Sequence, residues 1–192
     1  MEGRGPDEYD EEMTNLAPLP PGDWDEEILH LKDGFAGRLN VYRVMAHNPP
    51  LLAAWAGLRQ HVVVDNALGP ELTEVAILRI SVHLNSDYER AHHVVRARAC
   101  GMSDARIARI LAQGIQSVEP DAIIVRAVDE LARSARLESD TIETLVGLFG
   151  RRSLLDLFAI YGFYSTLGFI ANSCETPIDD DIAAQLGEKG AL

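Results

Sequence analysis

In the stretch NSDYERAHH at positions 85–93, a tyrosine, a glutamate and two histidines fall within six residues. On a helix starting near Ser86, Glu89 and His93 are four apart and share a face, with Cβ atoms about 5–6 Å from each other, and Tyr88 and His92 form a second such pair. A carboxylate beside an imidazole raises the ring's basicity and fixes its tautomer, which is how a general acid–base pair is assembled. Upstream, ELTEVAILRISVHL sets Glu74 on one stripe with Ile77, Leu78 and Ser81. A carboxylate on so apolar a stripe needs a partner, and His93 or solvent can supply it. The same residues also have a purely structural use. Ser86-x-x-Glu89 reads as a capping box, the serine accepting from the third amide and the glutamate reaching back, and Asp87 and Glu89 suit the positive end of the helix dipole. A metal site built from Glu74, Glu89, His92 and His93 is the weaker idea, because adjacent histidines on a helix point about 100° apart. No metal and no cofactor is therefore expected.

The elements that must hold these residues are helical. From Asp25 onward apolar positions recur at helical spacing, and the breaks are short and marked by Gly, Pro or Asn. The pattern predicts helices at 25–34, 38–47, 50–65, 70–84, 86–100, 103–112, 119–136, 139–148 and 151–173, with a short one near 179–186. Pro70 opens one helix at its first position, Gly101 closes the one begun at Ser86, and Ser103 can cap the next. No segment shows sustained period-two alternation, and the β-branched run at 62–64 lies at the end of a helical pattern. The fold class is all-α. Residues 151–173 are apolar nearly all round, with Phe158, Tyr161, Phe163, Tyr164 and Phe169. Such a helix is buried in a core or between subunits, which points to a homo-oligomer.

With 192 residues, 47% of them hydrophobic, the chain can bury one substantial core. Its net charge of −13 disfavours nucleic acids and anionic membranes as partners. Eleven acids crowd into residues 1–33 against Arg4 and Lys32, leaving nineteen acids and fifteen bases for the rest. The folded part is thus only mildly acidic, which is compatible with an anionic substrate. Residues 1–23 combine seven of those acids with Pro6, Pro18, Pro20 and Pro21, as in a mobile tail, and residues 24–192 are expected to form one domain. No basic, apolar leader opens the sequence, and no apolar run approaches the roughly 20 residues of a membrane span, so the cytoplasm is the expected location. Cys100 and Cys174 are isolated and form no C-x-x-C, so each reads as a small buried hydrophobe.

The run from about Arg38 to Gln113, above all TEVAILRISVHLNSDYERAHHVVRARACGMSDARI, resembles the carboxymuconolactone decarboxylase family, which includes the alkylhydroperoxidase D-type thiol peroxidases. The later RAVDELARSARLESDTIETL and its following aromatic helix resemble longer members, so the likeness covers two thirds or more of the chain. It implies a compact multi-helix alkylhydroperoxidase D-like domain. The thiol-peroxidase branch carries a glutamate and then Cys-x-x-Cys-x-x-x-His. With that histidine laid on His93, Glu74 stands at the glutamate, and Ser86 and Glu89 stand at the two cysteines. A disulfide-cycling peroxidase needs both thiolates, so that chemistry is not expected here, and Cys100, two turns past His93, is a poor substitute. The lyase branch is the better match, having a glutamate and a histidine where Glu89 and His93 stand. YERAHH departs from other members by Arg90 in place of a tryptophan, which adds a cation suited to a substrate carboxylate.

The resemblance thus implies a lyase or isomerase that moves a proton on a small carboxylate or lactone. His93 transfers the proton, Glu74 and Glu89 orient or relay, Tyr88 donates to the developing oxyanion, and Arg90, Ser86 and His92 bind substrate. Its partners would be a small-molecule substrate and further copies of itself, as a dimer, trimer or hexamer, with no nucleic acid and no membrane. The alternatives are an alkylhydroperoxidase-type antioxidant protein and a non-catalytic oligomeric binding protein. Whether His61 or His83 reaches the pocket is open at this point.

Overall fold

The computed structural model describes residues 16–112 and 119–189, and every regular element among them is helical. Two 3₁₀ turns, Pro21–Asp23 and Glu26–Leu31, precede α1 (Phe35–Arg38), α2 (Asn40–Met45) and α3 (Pro49–Gln60), which runs on into a π turn at His61–Asp65. Then follow α4 (Pro70–Leu84), α5 (Asp87–Ala99), α6 (Asp104–Leu111), α7 (Asp121–Ser134), α8 (Ser139–Ser173) and α9 (Asp180–Lys189). The expected all-α class holds. The helix predicted at 25–34 is instead the tighter 3₁₀ turn, started by Asp25 accepting from the Glu27 amide. It ends where α1 comes so close that a Cβ on Gly37 would overlap the Lys32 carbonyl oxygen.

Helix α4 is the axis of the molecule. Every residue from Thr73 to Ser81 is buried, and α5, α6, α7 and α8 all pack on it. A helix covered on all sides gains from apolar side chains all round, and Val75, Ala76, Ile77, Leu78 and Ile80 supply them. The two ionic side chains in that stretch, Glu74 and Arg79, are the exceptions. Asn85 ends α4 in the left-handed conformation (φ 48°), and Ser86 at once caps α5. This two-residue turn folds α5 back along α4, so that His93, eight residues after Asn85, comes alongside Glu74, eleven before it.

Helix α8 contains both predicted helices 139–148 and 151–173, separated by Gly150 at φ 85°, a conformation that favours glycine. By length and composition α8 could cross a membrane, but half of its most apolar window is buried. Its contacts with α4, α5 and α7 make it a core helix. Residues 16–23, the described part of the expected tail, lie against α2. The Leu19 carbonyl accepts from Arg43 Nε at 3.0 Å and from Trp24 Nε1, and the Leu19 amide donates to the Arg43 carbonyl. Residues 1–15 of the expected tail lie outside the described residues. Cys100 and Cys174 are both free and half-buried.

Candidate active site

Glu74, Glu89 and His93 converge between α4 and α5. His93 Nδ1 lies 2.6 Å from Glu74 Oε2, and Nε2 lies 3.5 Å from Glu89 Oε2. All three are buried. Burial lowers the His93 pKa and outweighs the opposing pull of Glu74, so the ring is neutral at pH 7. Its Nδ1–H then donates to Glu74, which leaves the Nε2 lone pair directed to the Glu89 side. Glu89 is pushed up to about 8, first by burial and then by Glu74, against the lowering field of Arg96. It is therefore a carboxylic acid at neutral pH, with Oε1 buried and without a hydrogen-bond partner. The capping box is only half formed. Ser86 Oγ accepts from the Glu89 amide at 3.4 Å, but the Ser86 amide bonds the Ser81 carbonyl while the Glu89 side chain turns inward.

The neighbouring pair behaves differently. Tyr88 stacks on His92 with ring centroids 4.1 Å apart. The Tyr88 hydroxyl donates to Asp179 Oδ2 at 2.7 Å and accepts from the Val41 amide at 3.2 Å. His92 faces the Tyr88 carbonyl through Nδ1 and Asp179 Oδ2 through Nε2, both at 2.8 Å. Burial and then Asp179 raise the Tyr88 pKa far above the ordinary phenol range. The hydroxyl expected to serve an oxyanion is thus committed to Asp179, and the two adjacent histidines enter separate networks.

A cleft beside His93 is lined by Leu39, Val41, Tyr88, Glu89, His92 and His93, and by three residues that the sequence reading did not select: Tyr42, Arg96 and Tyr164. Its volume is about 20 Å³, enough for a group the size of one water molecule. Tyr164 meets the His93 ring edge-on at 4.9 Å, so this aromatic residue of the apolar helix lines the cleft. Arg96 could have been found from its spacing, since 89, 93 and 96 form one helical stripe. Asp179, from the turn before α9, carries no comparable signal.

Neither Ser86 nor Arg90 is among the cleft-lining residues. Ser86 is the α5 cap, and the Arg90 guanidinium turns outward to Asp87. Glu74 backs His93 from outside the cleft lining. His61 pairs with Asp156 and His83 with Asp129, both at 2.7 Å and both away from the cleft.

Residues 49–122 match the model of the carboxymuconolactone decarboxylase family. None of the curated proteins matches the chain. Among solved structures, a cysteine-to-alanine variant of the debrominase Bmp8 in complex with 2,3,4-tribromopyrrole is similar in fold, with a TM-score of 0.73 at 16% identity over 91% of this chain and 97% of that one. An uncharacterized peroxidase-related protein with an alkylhydroperoxidase AhpD core from Ralstonia eutropha JMP134 reaches 0.73 at 14% identity, over 87% and 94% of the two chains. A peroxidase-related protein from Silicibacter sp. TM1040 reaches 0.67 at 16% identity, over 94% and 90%. At such identities the likeness establishes the fold alone. The segment 49–122 thus carries the sequence pattern of the carboxymuconolactone decarboxylase family, within a fold similar to that of the alkylhydroperoxidase AhpD core.

Proposed function

We propose that the protein catalyses a proton transfer of lyase or isomerase type on a small carboxylate or lactone, with His93 as base. The observation that carries this reading is the His93 ring, held by Glu74 through Nδ1 at 2.6 Å while Nε2 has no hydrogen bond as close. Nε2 takes a proton from a carbon next to a carbonyl, and the released electron pair moves onto the carbonyl oxygen. Glu74, as the acceptor at Nδ1, stabilises the imidazolium that forms. Protonated Glu89 then donates to the enolate at oxygen or at a second carbon, and the proton on His93 restores it. Tyr88 serves by holding the wall of the cleft rather than by donating to the oxyanion. A cytoplasmic location and a homo-oligomer belong to the same reading. For the oligomer, Leu148, Leu155, Phe158 and Phe169 offer exposed apolar surface along α8.

Solvent-deuterium incorporation into a panel of small keto acids and lactones tests the reaction. His93→Ala is expected to lower exchange by about 10²–10⁴-fold, and unchanged exchange in that variant would sink the proposal. A panel that binds but never exchanges would favour the non-catalytic binding protein. The antioxidant alternative is less supported, because burial and the acids Glu74 and Glu71 raise the Cys100 pKa, which suppresses the thiolate a peroxidase needs.

A further inference from the structure

We infer that Arg96 is the specificity-determining residue of the cleft, seating the carboxylate of an incoming small acid between Tyr42 and Tyr164 beside Glu89. This rests on the proposed reading only in using the same cleft. The first observation is that Arg96 lacks a partner among the described residues. Arg79 is tied to Asp129, Arg98 to Asp104, Arg106 to Glu71 and Asp121, and Arg126 to Glu130 and Asp140. Half-buried Arg96 makes no hydrogen bond or ion pair with any described side chain, and it lines the cleft. Burial works against its charge, and the nearby acidic groups, Glu74 among them, offset that cost so that its pKa is raised. A cation drawn away from water, with five donors and no acceptor, is costly until an anion arrives.

The second observation is the acid next to it. Glu89 lines the same cleft, is 3% exposed, and has one carboxyl oxygen without a partner. In its protonated state it repels no anion and can donate to one. Glu74, the remaining acid, is occupied by His93. The cleft therefore presents a cation and a neutral donor to whatever enters. Its size selects further. At about 20 Å³ it takes a group the size of one water molecule, so a carboxylate oxygen enters while the rest of the molecule stays outside. A planar carboxylate also matches the fork of a guanidinium, which can grip both its oxygens.

The test uses acetate and its uncharged isostere acetamide, titrated into the full chain while the His93 ring signals are followed by NMR. Acetate is expected to shift them saturably, with acetamide at least about tenfold weaker. In Arg96→Met the acetate affinity should fall at least about tenfold and the preference over acetamide disappear, whereas Arg96→Lys should keep the preference with reduced affinity. Equal binding of the two ligands to the natural chain, no saturable acetate binding, or unchanged acetate affinity in Arg96→Met would each overturn the inference. Should Arg96→Met not fold, the acetate–acetamide comparison on the natural chain and on Arg96→Lys still decides. Arg96-dependent acetate binding in a protein that never exchanges deuterium would refute the proton-transfer reading and leave this one standing.

Discussion

Helix α4 carries two ionic side chains into the core, five residues apart, and their surroundings treat them oppositely. Arg79 is saturated. Nε and Nη2 grip Asp129 at 2.5 and 2.9 Å, and Nη1 reaches the carbonyls of Ile110 and Ala112 at the end of α6. His83 Nε2 approaches the same Asp129. Those carbonyls have no partner within their own helix, so Arg79 closes the end of α6 and ties α4, α6 and α7 together. Glu74 has one strong partner, His93, and beyond it the network frays. His93 Nε2 is 3.5 Å from Glu89, Glu89 Oε1 is unpaired, and Arg96 pairs with no described side chain. A satisfied buried network fixes a fold, whereas an unsatisfied one keeps groups ready to react with something that enters.

The largest expected effect tests the saturated side. Arg79→Met leaves Asp129 and two helix-end carbonyls without their cation and should cost about 3–5 kcal/mol in a denaturant titration. Glu74→Gln should cost no more than about 1 kcal/mol, because the amide oxygen still accepts from His93 Nδ1–H, yet it should impair deuterium exchange. If the two substitutions destabilise equally, the contrast between the two charges fails.

The next effect sharpens the frayed side through pH. Glu89 titrates near 8 in the folded protein against its ordinary value of 4.5. Between those values the native state holds a proton that the unfolded chain has lost, so stability falls as pH rises through the window. Glu89→Gln mimics the protonated acid and removes that loss. It should therefore be the more stable protein above pH 8, with a slope difference no steeper than roughly 1.4 kcal/mol per pH unit. His93 acts on the other arm. Its lowered pKa means that below about 6.5 the unfolded chain takes a proton that the native ring refuses, so stability falls as pH drops. Thermal melts from pH 4 to 9 should show both arms in the natural chain, and an alkaline arm that survives Glu89→Gln would remove Glu89 as its source.

How much of this was legible in the sequence follows from the range of the interactions. The α4–Asn85–Ser86–α5 hairpin and the Glu74, Glu89 and His93 trio were readable, because cap, turn and i,i+4 spacing are local and the turn is only two residues long. Arg96 lies on the same stripe, whereas Arg90 is nearer the histidines in sequence but turns outward to Asp87. Tyr42, Tyr164 and Asp179 reach the site from α2, α8 and the turn before α9. Their approach is set by tertiary packing, for which no local period exists. The bond of the Tyr88 hydroxyl to Asp179 is illegible for the same reason, since it spans 91 positions.

Asp179 supplies a smaller test of the second histidine. It accepts from Tyr88, His92 and the Asn40 amide at 2.7, 2.8 and 3.0 Å, and these partners lower its pKa despite burial. Asp179→Asn exchanges charge-assisted bonds for neutral ones and should cost about 1–2 kcal/mol, with faster amide hydrogen exchange in α9 and in the Leu39–Val41 wall. Protection unchanged in both places would mean that the Tyr88–His92 pair is held by packing alone.

The smallest effect concerns the arginine that the sequence first suggested. Arg90 and Arg96 are six residues apart on α5, which places them about 120° apart around the helix axis. That rotation separates an outward residue from a cleft residue. Arg90 pairs with Asp87, whose side chain is 77% exposed, and an exposed pair one turn apart contributes roughly 0–0.5 kcal/mol. Its cation also sits near the positive end of the α5 dipole, which offsets part of even that. Arg90→Ala should therefore change stability by less than about 0.5 kcal/mol and leave acetate affinity and deuterium exchange as they are. A substantial loss of either would return Arg90 to the site and require α5 to rotate by about a third of a turn, which the buried Ala91, Val94 and Ala97 on its packed face oppose.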